Sequence, residues 1–166
     1  MASGNTVGSR IKTLDGEHLA YIAGFLDGDG CIACNFERNK TCRLGYRVRV
    51  RISFTQHQHR REVLDVLRSW INSGSIGEYE HNQMAEYVIR DQGAVQELLV
   101  ALKPHLVVKK MHAELALSIL KAKEGRYTPE SLELMRRLAN SMRALNRYPK
   151  RVGLDPVTTE AFEPRG

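Results

Sequence analysis

The segment from Tyr46 to Gln56 constrains the fold most, because its side chains alternate between two kinds with a period of two. One set is apolar and consists of Tyr46, Val48, Val50, Ile52 and Phe54. The other set is polar and consists of Arg47, Arg49, Arg51, Ser53 and Thr55. This alternation predicts a β-strand that buries one face in a core and leaves the other face in water.

The flanking patterns predict helices around two hairpins. Helical spacing is found in residues 15–28, 60–71, 93–102, 109–123 and 128–146. Further strands are expected at 31–37, 76–80 and 85–90. In the helix at 60–71 the side chains expected to face inward are Val63, Leu64, Val66, Leu67 and Trp70. The order predicts an α+β fold, in which a four-stranded antiparallel sheet carries helices on one face.

The length and composition predict a single globular domain. The chain has 166 residues, of which 42% are hydrophobic and 27% are charged. We expect this domain at 15–148, a flexible N-terminal arm at 1–14 and a mobile C-terminal tail at 149–166. Since no apolar run approaches the roughly 20 residues that span a bilayer, and the N-terminal residues lack a signal-peptide core, we expect a soluble intracellular protein.

The cysteines do not form the pattern of a secreted disulfide framework. There are three, Cys31, Cys34 and Cys42, and an odd number in one short stretch argues against paired disulfides. The Cys-x-x-Cys spacing at 31–34 suggests zinc only weakly, because no second pair follows. In a strand, Cys31 and Cys34 also point to opposite faces. Free thiols are therefore expected.

Positive charge is concentrated on the polar face of the alternating strand. The chain carries 25 Lys and Arg against 19 Asp and Glu, and eight of these cations, with no acid, lie between Arg38 and Arg61. Stacking Arg47, Arg49 and Arg51 on one face costs Coulomb repulsion unless an anion is near. The planar guanidinium fits guanine or phosphate, and a two-stranded ribbon fits the DNA major groove. A solvated face of repelling charges is the alternative.

This reasoning predicts a set of side chains on a DNA-facing sheet surface. Acids in the set would accept hydrogen bonds from the amino group of cytosine. The expected DNA-facing residues are Asn35, Glu37, Arg38, Lys40, Arg43, Arg47, Arg49, Arg51, Ser53, Thr55, Glu78, Glu80, Glu86 and Arg90.

A second signal is the nonapeptide at 22–30, Ile-Ala-Gly-Phe-Leu-Asp-Gly-Asp-Gly. It places Asp27 and Asp29 at the end of a predicted helix, where the helix dipole disfavours carboxylates. Acids at such a position favour a cation partner, and hard divalent cations bind carboxylate and carbonyl oxygens. An ordinary glycine helix stop with turn aspartates is the alternative.

The nonapeptide closely resembles the LAGLIDADG motif, and the chain from about Glu17 to Asn146 resembles a single-motif LAGLIDADG homing endonuclease. The matching residues are Ala23, Gly24, Asp27, Asp29 and Gly30. Ile22, Phe25 and Leu26 are apolar substitutes, and Gly28 replaces Ala. The resemblance implies a saddle-shaped helix-hairpin-helix-hairpin-helix domain and a site-specific DNA endonuclease.

The resemblance also implies residue roles. Asp29 would bind the catalytic Mg²⁺, or another divalent cation such as Mn²⁺, with the carbonyl of Gly28 as an accessory ligand. Asp27 would be structural and would cap the partner helix at a dimer interface. Further groups near the reaction centre would be Gln56, Arg60 and Lys109, with Lys110 competing for the last role. His57 and His59, between the Gln and the Arg, depart from the family pattern.

One motif supplies one catalytic aspartate, whereas a duplex has two strands to cut. A homodimer is therefore expected on double-stranded DNA, and the small residues Ala20, Ala23 and Gly24 would let two motif helices approach closely. By family analogy the target is pseudo-palindromic and the break leaves short 3′ overhangs. The alternatives are an RNA maturase, a DNA-binding regulator that does not cut, and a basic oligomerisation module without a nucleic-acid role.

Overall fold

The computed structural model describes residues 10–147, which form five α-helices and four strands. Two short 3₁₀ turns, at Gln58–Arg60 and Lys103–His105, follow β2 and α3. The elements in chain order are α1 (Gly16–Asp29), β1 (Gly30–Arg38), β2 (Tyr46–His57), α2 (Glu62–Ile71), β3 (Ser75–Tyr79), β4 (Met84–Ile89), α3 (Gln92–Leu102), α4 (Lys110–Ala122) and α5 (Pro129–Asn146).

The four strands form one antiparallel sheet in the order β1-β2-β4-β3. Strand β4 pairs with β2 only at 52–57. On the edge of β2 that β4 leaves free, the side chain of Gln92 forms the hydrogen bonds that a neighbouring strand would form. Its amide nitrogen donates to the carbonyl oxygen of Val50 at 2.8 Å, and its amide oxygen accepts from the Val50 backbone nitrogen at 3.0 Å. The predicted α+β architecture is confirmed.

The core lies on the apolar face of β2, as the alternation predicts. Val48, Val50, Ile52 and Phe54 are fully buried there. The prediction for α2 is wrong at Val66, which is exposed. The buried side of this helix carries Leu64, Leu67 and Ile71, so the inward stripe follows the i, i+3, i+7 spacing and leaves Val66 on the other side.

Local sequence signals set the helix ends. The carboxylate of Asp15 caps α1 by accepting from the backbone nitrogen of His18 at 2.9 Å. Thr128 and Ser131 form a reciprocal capping box at the start of α5. At the end of α1 the chain turns so tightly that a Cβ on Gly30 would lie 2.7 Å from the Cα of Leu26. A larger residue would therefore force this junction apart.

The packed unit extends further toward the N-terminus than predicted. Ile11 is buried in the core, and the backbone nitrogen of Arg10 donates to Glu97 at 2.9 Å. The expectation of a flexible arm is therefore wrong for residues 10–14, while 1–9 and the tail at 149–166 lie outside the described residues. The three cysteines are free thiols. Within residues 10–147, none of the helices is both long and apolar enough to cross a membrane.

Candidate functional site

The last residue of α1 presents a carboxylate to solvent. Asp29 is exposed, and its side chain makes no hydrogen bond or ion pair with any of the residues in 10–147. It lies where the helix dipole is negative, so the dipole does not compensate its charge. An unpaired carboxylate at this position is free to bind an external cation.

Asp27 caps a loop of its own chain. One carboxylate oxygen accepts from the backbone nitrogens of Val107 at 2.8 Å and Val108 at 3.2 Å, and the other accepts from the backbone nitrogen of Lys109 at 2.9 Å. Partial burial opposes ionisation, but these donors and the Lys109 charge together lower the pKa of Asp27 below its ordinary value. The loop before α4 of the same chain thus already uses both carboxylate oxygens of Asp27, and the expected capping of a partner helix stays a prediction.

The same loop brings Lys109 against the motif. Its ε-amino nitrogen donates to the backbone carbonyl oxygen of Asp27 at 2.8 Å, and its side chain lines a cavity together with Gly28, Gly30 and Cys31. Lys110, the competing candidate, is exposed and begins α4. Of the two lysines, Lys109 is the one held at the end of α1.

His112 also lines this cavity and is not among the residues predicted from the sequence. The ring follows Lys109 by one helical turn, and its Nδ1 is buried without a hydrogen-bond partner in the described part of the chain. Burial, and then the charge of Lys109, lower the pKa of His112. The spacing of three residues after the lysine is the signal that could have identified it.

Gln56 and Arg60 lie just beyond the point where β2 pairs with the start of β1. The side-chain oxygen of Gln56 accepts from the backbone nitrogen of His57 at 3.0 Å, which leaves its amide group free to donate. Arg60 is exposed in the 3₁₀ turn that follows β2. Within residues 10–147, no hydrogen bond, ion pair or shared cavity joins either side chain to Asp29.

A divalent cation would find one suitable carboxylate at the end of α1. Asp29 offers a hard, unpaired oxygen donor, which fits Mg²⁺ or Mn²⁺. No group of three His, Cys, Asp or Glu that could enclose a metal exists in the part of the chain that the structure describes. A cation at Asp29 would therefore need further oxygens beyond these side chains, from backbone carbonyls such as that of Gly28, from water or from a bound phosphate.

The polar face of β2 is basic and lacks counter-ions. The register places Asn35 opposite Arg49 and Glu37 opposite Arg47, so all four side chains share one face. A cavity on this face is lined by Asn35, Glu37, Arg47, Arg49, Val50, Arg51 and Arg90. No arginine of this group forms an ion pair with the described residues, and the Nε of Arg51 is buried without a partner. Such a face is suited to an anionic ligand.

Glu86 lies on this face with a partner that sequence reasoning missed. It is opposite Thr55 in the register. The phenol of Tyr79 donates to one oxygen of Glu86 at 2.8 Å, and this hydrogen bond raises the pKa of Tyr79. The tyrosine therefore fixes one oxygen of the carboxylate and leaves the other available to accept.

Two expected members of the DNA-facing set are placed differently. Glu78 is opposite the buried Ala85, so it lies on the other face of the sheet, where it forms an ion pair with Arg61. Ser53 is only 3% exposed, between its cross-strand neighbours Cys31 and Val88. The remaining candidates lie at strand ends or in loops and are exposed: Arg38, Lys40, Arg43, Glu80 and Arg90.

An apolar surface surrounds the exposed side of α1. Ala20 and Gly24 lie on that side, but Ala23 is fully buried in the core, which corrects its expected place at a dimer interface. The loop bound by Asp27 adds Val107, which is 84% exposed, and Val108, which is 67% exposed. The loop that carries these exposed valines is thus bound at the end of α1 that carries Asp29.

The sequence profile of the LAGLIDADG endonuclease family matches residues 22–124. The chain is 30% identical to DNA endonuclease I-CreI of Chlamydomonas reinhardtii over 104 residues, which span 63% of each chain. It is 28% identical to DNA endonuclease I-CvuI of Chlorella vulgaris over 148 residues, 89% of this chain and 91% of the relative. The match thus spans less than two thirds of I-CreI but most of I-CvuI.

Solved structures show the same fold. I-CvuI in complex with its target in the presence of Ca superposes with a TM-score of 0.73 at 28% identity, covering 82% of this chain and 86% of that one. An archaeal intron-encoded homing endonuclease, I-Vdi141I, complexed with DNA, gives a TM-score of 0.70 at 20% identity, covering 81% and 87%.

Proposed function

The chain belongs to the LAGLIDADG endonuclease family, and we propose that it is a homing endonuclease that cleaves duplex DNA at a specific site. The observation that carries this proposal is the unpaired carboxylate of Asp29 at the end of α1, with Lys109 held at the backbone carbonyl of Asp27 two residues earlier. The adjoining sheet has a basic face whose arginines form no ion pair with the residues that the structure describes. One end of the domain thus offers groups for cleavage, and the adjoining face offers groups for binding a polyanion.

DNA binding would use the polar face of the sheet. Arg47, Arg49 and Arg51 would enter the major groove with Asn35 and donate to base edges and phosphates. Glu86, held by Tyr79, would accept from a cytosine amino group. The absence of ion pairs to these arginines within residues 10–147 supports this role, since their guanidinium groups are free to bind the phosphates and bases of DNA.

Cleavage would use Asp29 to hold Mg²⁺ or Mn²⁺, with the carbonyl of Gly28 as a further oxygen donor. A bound divalent cation activates water and offsets the charge that develops on the phosphate. Lys109, fixed at the Asp27 carbonyl, would add positive charge at the scissile phosphate, and Arg60 would do the same from the turn after β2. The free amide of Gln56 would orient a water. The relative I-CvuI has been crystallised with its own target in the presence of Ca, and with the I-CreI target, which was not cleaved, in the presence of Mg.

A homodimer would supply a catalytic aspartate for each strand. The exposed side of α1, with Ala20 and Gly24, permits close helix approach, and Val107 and Val108 add an apolar surface that a second copy would bury. A twofold axis beside α1 would place both Asp29 side chains over the minor groove. The target would be pseudo-palindromic, and the double-strand break would leave short 3′ overhangs. Such an enzyme would act on organellar or prokaryotic DNA inside the cell.

The proposal is tested by incubating the protein and Mg²⁺ with a library of randomised duplexes and sequencing the cut ends. We expect one recurrent site with both strands cut. Asp29→Asn should abolish cutting and preserve binding, because only a ligand charge is lost. The matched control is Glu130→Gln, an exposed acid in the first turn of α5, which should cut normally. Metal-dependent cutting by Asp29→Asn would refute the assignment, and binding without any cutting would favour a DNA-binding or RNA-maturase role.

A further inference from the structure

A second basic groove lies beside the loop between β1 and β2. It has a volume of about 400 Å³, and its walls combine residues of that loop, of β2 and of the segment between α4 and α5. Five cations line it, namely Arg43, Arg47, Arg49, Lys123 and Arg126, and no acid does. Lys123 and Arg126 come from outside the sheet and have no role in the base-reading face described above.

Lys123 is held in place at the edge of the sheet. Its ε-amino nitrogen donates at 3.1 Å to the side-chain oxygen of Gln92, the residue that also binds the backbone of Val50. Burial lowers the pKa of Lys123, and the nearby charges of Arg49 and Arg47 lower it further. Lys123 is therefore a half-buried cation that is held close to two further cations, Arg49 and Arg47.

The positive charge in the groove is not neutralised by the described part of the chain. None of the five cations forms an ion pair there. The two nearest acids in sequence or register are Glu124, which follows Lys123, and Glu37, which is opposite Arg47. Both are exposed, and neither lines the groove. Repulsion among the cations would be relieved by an external anion.

The groove lies at the end of the strands that is remote from the cleavage residues. Asp29 directly precedes β1, whereas the groove adjoins the loop after Arg38, nine residues along. At about 3.3 Å per strand residue, the two ends of β1 are roughly 26 Å apart. Duplex DNA advances about 3.4 Å per base pair, so this distance corresponds to about eight base pairs.

We propose that the α4–α5 side of the groove, Lys123 and Arg126, binds backbone phosphates at the outer end of each half-site, beyond the base pairs that Arg47 and Arg49 read. This inference rests on the proposed function, since it presupposes that the sheet lies on a duplex. Lys123 and Arg126 project from the α4–α5 segment rather than from a strand in the major groove, so they reach the backbone and carry no base preference. Gly125, with φ of +77°, forms the turn that presents Arg126.

The inference is tested with the variants Lys123→Met and Arg126→Ala. The control is Lys121→Ala, which alters an exposed lysine near the end of α4 that does not line the groove. Binding is measured over a range of salt on a duplex that carries the selected cut site and extends one helical turn beyond each half-site. A second, trimmed duplex ends at the last base pair that side chains of the sheet contact. On the long duplex each groove variant should lose about tenfold in affinity, and its slope of log K against log salt should fall by about 0.9.

On the trimmed duplex wild type and groove variants should bind alike, because this duplex lacks the outer phosphates that the groove residues would bind. Lys121→Ala should match wild type on both duplexes. Equal binding of wild type and groove variants on the long duplex would overturn the inference, as would a loss that persists on the trimmed duplex or a changed base preference. A loss seen only with RNA would overturn it in favour of an RNA ligand. Failure of the wild type to bind any duplex would instead refute the proposed function itself.

Discussion

Lys109 and Asp27 hold each other at two points. The ε-amino nitrogen of Lys109 donates to the backbone carbonyl oxygen of Asp27 at 2.8 Å, and its backbone nitrogen donates to the Asp27 carboxylate at 2.9 Å. Both bonds form at the last turn of α1, two residues before Asp29. The lysine and the exposed aspartate are therefore fixed to the same helix end and would move together.

Replacing Asp27 by Asn should destabilise this helix end. An amide has one acceptor oxygen, whereas the carboxylate accepts three backbone N–H groups through two, so we expect a loss of about 1–3 kcal/mol in the free energy of unfolding. Urea unfolding measures it. The control is Asp65→Asn, which removes an exposed ion pair with Arg61 and should cost less than about 1 kcal/mol. Equal losses for the two variants would contradict the capping role.

The contribution of Asp27 should depend on pH in one direction. Its pKa in the folded chain is lowered from the ordinary value of 3.8, so its ionised form is favoured by folding. The stabilisation is present above pH 3.8 and is lost as the pH falls through the lower folded value. The difference in unfolding free energy between wild type and Asp27→Asn should shrink in acid. A difference that grew in acid would show that folding raises the pKa of Asp27 and does not lower it.

Arg49→Ala should weaken DNA binding by about 1–3 kcal/mol and relax the preference at one base pair. The reason is that Arg49 is exposed on the strand face and has no internal acid to pair with in the described chain. Competition binding with every single-base variant of the selected site measures both effects. Arg137→Ala, which removes an exposed arginine paired with Glu133 on α5, is the control. An unchanged preference at all positions would argue against base reading by Arg49.

Val108→Glu should convert a dimer into a monomer. The Val108 side chain is 67% exposed beside the end of α1, so an acid there is tolerated in one chain but would be buried and unpaired against a second copy. Light scattering and sedimentation measure the mass. Leu134→Glu, at a site on α5 that is 46% exposed, makes the same apolar-to-acid change and should remain dimeric. If wild type and both variants have the same mass, this surface is not the interface.

Local patterns predicted the elements of the fold but not all of the contacts between them. Strand alternation identified the buried face of β2, because a period of two requires no knowledge of the partner strands. The face of Glu78 depended on the register of β3 against β4, which places Gly77 and not Glu78 opposite Glu86. A shift of one residue reverses the face, and this hairpin has little alternation to define it.

In the candidate site, too, local patterns predicted individual residues but not the contacts between distant segments. The motif identified Asp29 as an exposed acid at a helix end, which is a local property. The partner of Asp27 could not be predicted, because Val107 lies 80 residues away in sequence and reaches the motif through the packing of α3 and the 3₁₀ turn Lys103–His105 against α1. Ala23 was misplaced for a similar reason: its size suits a close helix contact, but the structure uses it in the core of its own chain.

The claim that each of two identical chains cuts one strand is tested most directly by a mixed dimer. Wild-type and Asp29→Asn subunits with different affinity tags are co-expressed, and the doubly tagged species is purified and given supercoiled DNA that carries the selected site, with Mg²⁺. We predict a nicked circle as the product, because only one Asp29 remains. Linear DNA formed at the wild-type rate by the doubly tagged species would contradict the claim, since one chain would then suffice for both strands.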